Sequence, residues 1–473
     1  MLNYDFVATK NNKYYKYFLF IPSNSKIFST FTVQILKKII MKKIVFFILL
    51  LQNFGSFAQN ETQKKAIDKK ANEIESQVIA WRRHLHQNPE LSNRETETGK
   101  YIAKYLKTLP DVEVRENVAN TGVVAIIKGD KPGPVVALRA DIDALPVTER
   151  ANLPFASKVK ANYNGQEVGV MHACGHDTHV AMLMGAATVL SSMKKDIQGT
   201  VVLLFQPAEE GAPPGEEAGA FLMIKQGVLD NPKVEAAFGL HIGSGLEVNK
   251  LEYKTGGMMA ASDVLKIKVK GKQTHGASPW GGIDPIVVSA QIIMGLQTII
   301  SRQTDVTNEA AVVTIGKING GVRNNIIPEA CEMEGTIRTL DAKMRDEIHA
   351  RIKKTATNIA EASGAEAEVE IISGYPIVVN SLDLARRMIP TMEQCAGGEE
   401  NVRVTKARLG AEDFAYFAQK VPALFMSIGG REKGKTASEA FPHHTPDFYI
   451  DESGFKLGVR AFCYFVMDYP TKK

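Results

Sequence analysis

Four short apolar runs set among helical stretches, three of them followed by acidic or imidazole side chains, constrain the fold of this chain most strongly. Val123–Ile127, Val135–Arg139, Thr200–Phe205 and Ala236–Leu240 have the length and composition of buried strands. Runs of about four to eight apolar residues between helices suit a mostly parallel sheet covered by helices on both faces. The expected fold is therefore α/β. Polar groups recur just past the runs: Asp141 and Asp143, then Glu209 and Glu210, then His241. Ligands in open α/β sheets sit at the carboxyl ends of the strands, so the same pattern says where the chemistry should lie. A polar helix is expected over Glu61–Leu85, with Trp81 and Leu85 on its apolar side, and another over His179–Met193.

From about Gly257 the texture changes. Asp263–Val269 alternates as a strand, Pro285–Arg302 reads as a long helix, and Ala311–Ile318 and Ala330–Arg338 read as strands. Ala342–Glu361 is helical in pattern and Ala367–Ile372 strand-like. That βαββαβ order is the split ferredoxin-like unit. After Tyr375 the α/β texture resumes, with a helix over Leu382–Cys395 and a strand over Ala423–Ile428. The expected organisation is a catalytic domain built from residues 60–255 and 374–473, with residues 256–373 inserted into it.

The formal charge of +5 misleads, because residues 1–58 hold eight Lys and one acid, a net of +7, leaving about −2 for the rest. No basic surface for nucleic acid follows from that balance. Met41 opens a second apparent start: Lys42-Lys43, an apolar run Ile44–Leu51, then Gly55-Ser56-Phe57-Ala58. This is the pattern of a secretory signal peptide, and the run is too short to span a bilayer. Met41 is expected to be the true start, with residues 1–40 either mistranslated upstream sequence or a disposable extension. Residues 41–58 are expected to be removed, and the mature chain is expected to be exported without stable membrane insertion. Four cysteines could pair in an exported protein. A core drawn from a chain 44% hydrophobic does not need staples, so no disulfide framework is expected.

Met171–His179 concentrates His172, Cys174, His176 and His179 beside Asp177. A thiolate and imidazoles this close, on a turn softened by Gly175, can reach a common divalent ion. Glu209-Glu210 sets two carboxylates side by side past a strand end, where one can ligate a metal while the other faces water and acts as a base; a solvated acidic loop has the same composition. His241 alone fits a structural histidine as well as a ligand, and His443 and His444 could both lie at the surface. Together, Cys174, His176, Glu210, His241 and one of the His pair exceed what one open catalytic zinc takes. They suit two ions sharing a ligand. Gly429–Thr436 fits the phosphate-loop spacing, but Pro442 and Pro446 follow where such a loop must open a helix; a loop beside the metal site is expected instead.

Arg139–Pro146 (RADIDALP), Met171–Asp177 (MHACGHD), Gln206–Gly211 (QPAEEG), Gly239–His241 (GLH), Thr274-His275-Gly276, Gly410–Phe414 (GAEDF) and His444-Thr445-Pro446 occur in this order. In this the chain resembles the dinuclear metallo-amidohydrolase and carboxypeptidase family, clan MH, over about Glu73 to Tyr469. It is most similar to the hippurate hydrolases, N-acyl-amino-acid amidohydrolases and indole-acetyl-amino-acid hydrolases. The resemblance implies metal ligands Cys174, His176, Glu210, His241 and His444, the last selected by His-x-Pro-x-Phe spacing, and Glu209 as general base. Cys174 stands where other branches carry a bridging aspartate, and Asp141 where they carry a ligating histidine. His275 matches a histidine that reaches the active site of the other subunit, which implies a homodimer formed through the inserted domain. Asn325 matches a substrate contact. The expected cofactors are two divalent ions, zinc or manganese foremost, with cobalt and nickel also admitted by mixed S/N/O donors. The expected substrate is a small N-acyl amino acid or peptide. An inactive binding or assembly module on the same scaffold is the alternative, favoured only if a ligand or the base were missing. No Gly-x-Ser-x-Gly elbow or His-Glu-x-x-His pair points to other hydrolase classes.

Overall fold

The computed structural model describes residues 60–472; the signal segment and residues 1–40 lie outside them. Ala66–Lys473 forms one compact unit and residues 60–65 belong to a separate one. Helix α1 (Glu75–Gln87) begins after a break at Ile74, inside the stretch expected to be one continuous helix. Then come α2 (Thr96–Leu106), β1 (Val112–Val118), β2 (Gly122–Lys128), β3 (Lys131–Asp141), α3 (His176–Ser191), β4 (Gln198–Gln206), β5 (Ala236–Glu247) and β6 (Leu251–Tyr253). The lobe follows with β7 (Ala261–Lys270), α4 (Pro285–Gln303), β8 (Ala311–Gly320), β9 (Ala330–Thr339), α5 (Ala342–Ala362) and β10 (Glu366–Ser373). The chain returns through α6 (Leu382–Ala396), β11 (Val402–Val404), β12 (Ala423–Arg431) and α7 (Phe455–Asp468).

The central sheet has the order β1-β2-β4-β3-β5-β12-β6-β11. Its middle, β4-β3-β5-β12, is parallel, and β1, β2 and β6 add antiparallel pairings. Parallel strands need apolar residues on both faces, and β4 is buried from Val201 to Gln206. Register sets the site. Asp141 pairs with Gln206 across β3 and β4, and Arg139 pairs with Gly239 across β3 and β5, so Asp141 and His241 reach the same edge of the sheet.

Two sequence expectations shift here. Strand β5 continues to Glu247, so His241 lies inside a strand rather than past its end; parallel pairing with β12, Ser427 opposite His241, carries it on. Helix α3 begins at His176, three residues earlier than expected, because Gly175 adopts φ 91° and turns the chain directly into the helix. Almost every α3 side chain is buried, as expected of a helix apolar all round.

The lobe sheet has the order β8-β9-β7-β10, all antiparallel. Leu265, Ile267 and Val269 of β7 alternate inward and join Val288, Ile292, Leu296 and Ile299 of α4 and Ile348 and Ile352 of α5 in one core. Lys266, Lys268 and Lys270 alternate outward, against glutamates of the neighbouring strands. At the junction with the body, Ser262 N–H donates to the Tyr375 carbonyl (3.0 Å) and Gly374 N–H to Asp263 (3.2 Å). Asp263 also receives Arg345 and His349.

Candidate metal centre

Strand ends and one helix start bring the site together. Gly175 is irreplaceable in geometry as well as in φ: a Cβ there would stand 2.4 Å from Ile242 Cγ2. It places Cys174 before α3 and His176 in its first turn. Glu209 and Glu210 follow β4 through a turn in which Ala208 takes φ 52°. His444 itself adopts φ 62°, and strain of this kind gathers at functional sites.

Asp141–His176–His179, Asp141–His241–Glu412 and His176–Glu209–Glu210 each bring donor atoms within 4.8 Å of one another, and so do the two groups Cys174–His176–His241 and Cys174–Glu210–His444. The last two share the Cys174 sulfur, which lies 3.5 Å from His241 Nε2 and 3.3 Å from His444 Nε2. His444 Nε2 is also 3.2 Å from Glu210 Oε1.

Hydrogen bonding separates ligands from supports among the clustered histidines. His241 Nδ1–H donates to the Ile242 carbonyl (2.7 Å), and His176 Nδ1–H donates to the Asp143 carbonyl (2.9 Å). Both leave Nε2 free to ligate, the arrangement in which an outer partner fixes the tautomer of a metal-binding histidine. His179 is committed at both nitrogens: Nδ1–H donates to Asp141, and Nε2 accepts Ile242 N–H (2.7 Å). His443 accepts Ser244 N–H on Nε2 (3.2 Å) and turns Nδ1–H to the Cys174 carbonyl (3.2 Å). His179 and His443 thus have both ring nitrogens engaged by backbone or carboxylate groups, whereas His444 Nε2 faces the Cys174 sulfur and the Glu210 carboxylate. His172 is fully buried and stands outside both groups, its pKa lowered to about 4, first by burial.

The surroundings fit divalent cations. His176 Nε2 is buried without a hydrogen-bond partner, an expensive condition unless something else binds it. Asp141, Asp143, Glu209, Glu412 and Asp413 are all buried, and one buried guanidinium, Arg139, holds Asp141, Glu412 and Asp413. Burial first, then Glu210 and Glu209, pushes the Cys174 thiol well up; a cation is what would make it a thiolate here. Burial opposes charge on His176, yet Asp141 and Asp143 raise its pKa to about 10, so their field favours a cation at Nε2. Burial, then Glu412 and Glu210, drives the Glu209 carboxyl well above its ordinary range. A raised carboxyl beside a metal site is suited to holding and passing a proton.

The remaining sequence candidates lie in the lobe. His275 is exposed, its Nδ1 accepting Ala277 N–H (3.0 Å), and Gly276 N–H donates to the Asn325 carbonyl (2.8 Å), so His275 and Asn325 are neighbours. Among the described residues, neither shares a hydrogen bond with the Cys174 cluster. Gly429–Thr436 leads only into a three-residue turn of 3₁₀ helix, Ala437–Glu439, with no helix start to cradle phosphate. All four cysteines are buried, and no disulfide joins them. The supports His86, Glu95, Glu149 and Tyr375 lie outside the sequence motifs, whereas Glu412 falls within Gly410–Phe414; Asp177 is ion-paired with Arg82 (2.9 Å) and His86 (2.8 Å).

An α/β sheet with paired donor groups and a proton-holding carboxyl at one edge defines a metal-dependent hydrolase acting on carbon–nitrogen bonds. The chain belongs to Peptidase family M20/M25/M40, whose model matches residues 137–468. It is 40% identical over 402 residues to Thermostable carboxypeptidase 2 of Saccharolobus solfataricus, covering 85% of this chain and 97% of the relative. It is also 40% identical over 382 residues to N-acetyl-L-cysteine deacetylase of Bacillus subtilis, covering 80% and 85%. Among solved structures, the Bacillus subtilis YXEP protein, a dinuclear metal binding peptidase from M20 family, superposes with a TM-score of 0.71 at 35% identity, covering 85% of this chain and all of that one.

Proposed function

We propose that the chain hydrolyses the amide bond of N-acyl amino acids or short peptides, with Glu209 as general base. The observation that carries this is a pair of adjacent carboxylates that both come within 3.9 Å of His176 Nε2 and differ in their further partners. Glu210 also faces Cys174 and His444, which leaves Glu209 as the carboxylate of the pair that is not grouped with them and is open to a water. Cys174, His176, Glu210, His241 and His444 would hold two divalent ions, zinc or manganese foremost, which when bound supply Lewis acidity and a more acidic water. Glu209 takes a proton from the attacking water and returns it to the leaving nitrogen, so the C–N bond breaks to give a carboxylate and an amine. The relatives named a carboxypeptidase and an N-acetyl-L-cysteine deacetylase support this substrate class.

His275 serves as the donor to the developing oxyanion and Asn325 as a substrate contact, delivered from the lobe of a second subunit. Exposed Val287 and Met294 on α4, with exposed Ile318 on the edge strand β8, give that lobe a surface suited to self-pairing. Export follows from the Met41–Ala58 pattern. The test is a panel of hippurate, N-acetyl amino acids and indole-acetyl conjugates, assayed with wild type and Glu209→Gln. The variant should keep its metal and lose about a hundredfold or more in turnover; near-full activity would remove Glu209 from the role.

A further inference from the structure

We propose that Tyr375 and Glu95 are positioning residues that clamp the turn carrying Glu209, and that Tyr375 ties the placement of the base to the lobe junction. This rests on Glu209 being the base. The turn cannot hold itself: Ala208 sits at φ 52°, a region that costs an L-residue roughly 1–2 kcal/mol. Three successive residues are instead gripped from outside through their backbone. Ala208 N–H donates to Glu95 Oε1 (2.8 Å), the Glu209 carbonyl accepts the Tyr375 hydroxyl (2.7 Å), and Glu210 N–H donates to Asp143 Oδ2 (2.9 Å). Asp143 also orients His176, so that grip belongs to the metal site. The other two touch no proposed ligand.

Glu95 is fully buried just ahead of α2 and is steadied by the Thr121 hydroxyl (2.6 Å). Tyr375 is the residue at which the chain returns from the lobe. Its carbonyl takes Ser262 N–H, and the preceding Gly374 binds Asp263, so Tyr375 is fastened to the first strand of the lobe. The crossing is tight, since a Cβ on Gly374 would stand 2.2 Å from the Ser262 carbonyl oxygen. Burial first, then Asp413 and Glu209, keeps the Tyr375 hydroxyl protonated and therefore a donor. The base is thus held on one side by the body and on the other by the root of the lobe.

The experiment is steady-state kinetics on the metal-loaded full chain, using whichever N-acetyl amino acid it turns over best. Tyr375→Phe keeps the ring and deletes one hydrogen bond, so kcat should fall about three- to tenfold, with KM within about twofold and metal content unchanged. Combined with Glu209→Gln, it should bring no further loss, because there is no base left to misplace. Glu95→Gln, whose amide oxygen can still accept Ala208 N–H, should stay within about twofold of wild type, while Glu95→Ala should lose about tenfold in kcat. An intact kcat in Tyr375→Phe overturns the inference, as does a loss that persists undiminished in the Glu209→Gln background. If Tyr375→Phe does not fold, the Glu95 pair decides, and equal kcat in Gln and Ala overturns the clamp. Full activity in Glu209→Gln alone would remove the base reading and the inference with it; the other failures remove only the inference.

Discussion

Gly175→Ala isolates the physics of the site without touching a ligand. At φ 91° an added Cβ meets the left-handed penalty, roughly 1–2 kcal/mol for an L-residue. The same Cβ would stand 2.4 Å from Ile242 Cγ2 and 3.4 Å from Phe448 Cζ, where carbon contacts normally settle at about 3.5–4.0 Å. Ile242 cannot retreat: it is fully buried, pairs with Ile428 on β12, and gives its N–H to His179. Overpacking of this kind costs about 1–3 kcal/mol, so the total is about 2–5 kcal/mol, a large share of a typical domain's roughly 5–15 kcal/mol. Urea unfolding of chelator-treated protein measures it, at unchanged m-value. Ile242→Ala removes the clashing methyl, so the double variant should fall short of the summed single losses by about 1–3 kcal/mol. Metal should also bind more weakly, since Cys174 and His176 flank the distortion. A loss below about 1 kcal/mol, or strict additivity with Ile242→Ala, would refute the argument.

Other outcomes follow from the same structure. Asp263 has its carboxyl pKa lowered to about 2, burial opposing the shift and His349 and Arg345 outweighing it. A depressed carboxyl stabilises above its unfolded value of about 3.9 and loses that contribution as pH falls through its folded one, so Asp263→Asn should cost about 2 kcal/mol at neutral pH and flatten the stability profile between about pH 4 and 2; an unchanged acid limb counts against the assignment. Cobalt-loaded protein should show a sulfur-to-metal charge-transfer band that Cys174→Ser lacks, and a band surviving that change would exclude Cys174 as a ligand. His443→Ala should weaken metal binding by about 10–100-fold as loss of an outer support, whereas His444→Ala should empty one of the two positions; equal metal content in both variants would contradict the separation. A His275→Ala subunit mixed with a Glu209→Gln subunit should regain activity if the lobes cross over between subunits, and no recovery after confirmed exchange would place His275 within its own chain or outside the reaction.

Much of the layout was legible because its causes are local. The six βαββαβ elements of the lobe lie within a few residues of their expected spans, since alternation and helical periodicity are undisturbed there, whereas the two-residue strands Thr274–His275 and Ile326–Ile327 have no such pattern to mark them. His241 was placed past its strand because the apolar run stops at Leu240, yet pairing with β12 carries the strand on to Glu247. Strand β1 escaped notice because most of it is exposed and polar. The donor residues were visible as residue types, but not their division of labour: His179 and His443 match the ligands in kind and differ only in what already occupies their nitrogens. Glu95 and Tyr375 carried no signal at all, being 113 and 166 residues from the atoms they hold.

The donors are scattered from Cys174 to His444, with the whole lobe threaded between His241 and His444. A nascent chain lacking its last thirty or so residues has one donor group without its imidazole, and the span that must close around a shared sulfur is far longer than any turn. Such loop closure is entropically costly in the unfolded state and recovered only when the sheet has formed. Metallation should therefore come after folding is complete, and the ions should act as a late clasp that locks the C-terminal segment onto the body and resists its release by proteolysis or heat.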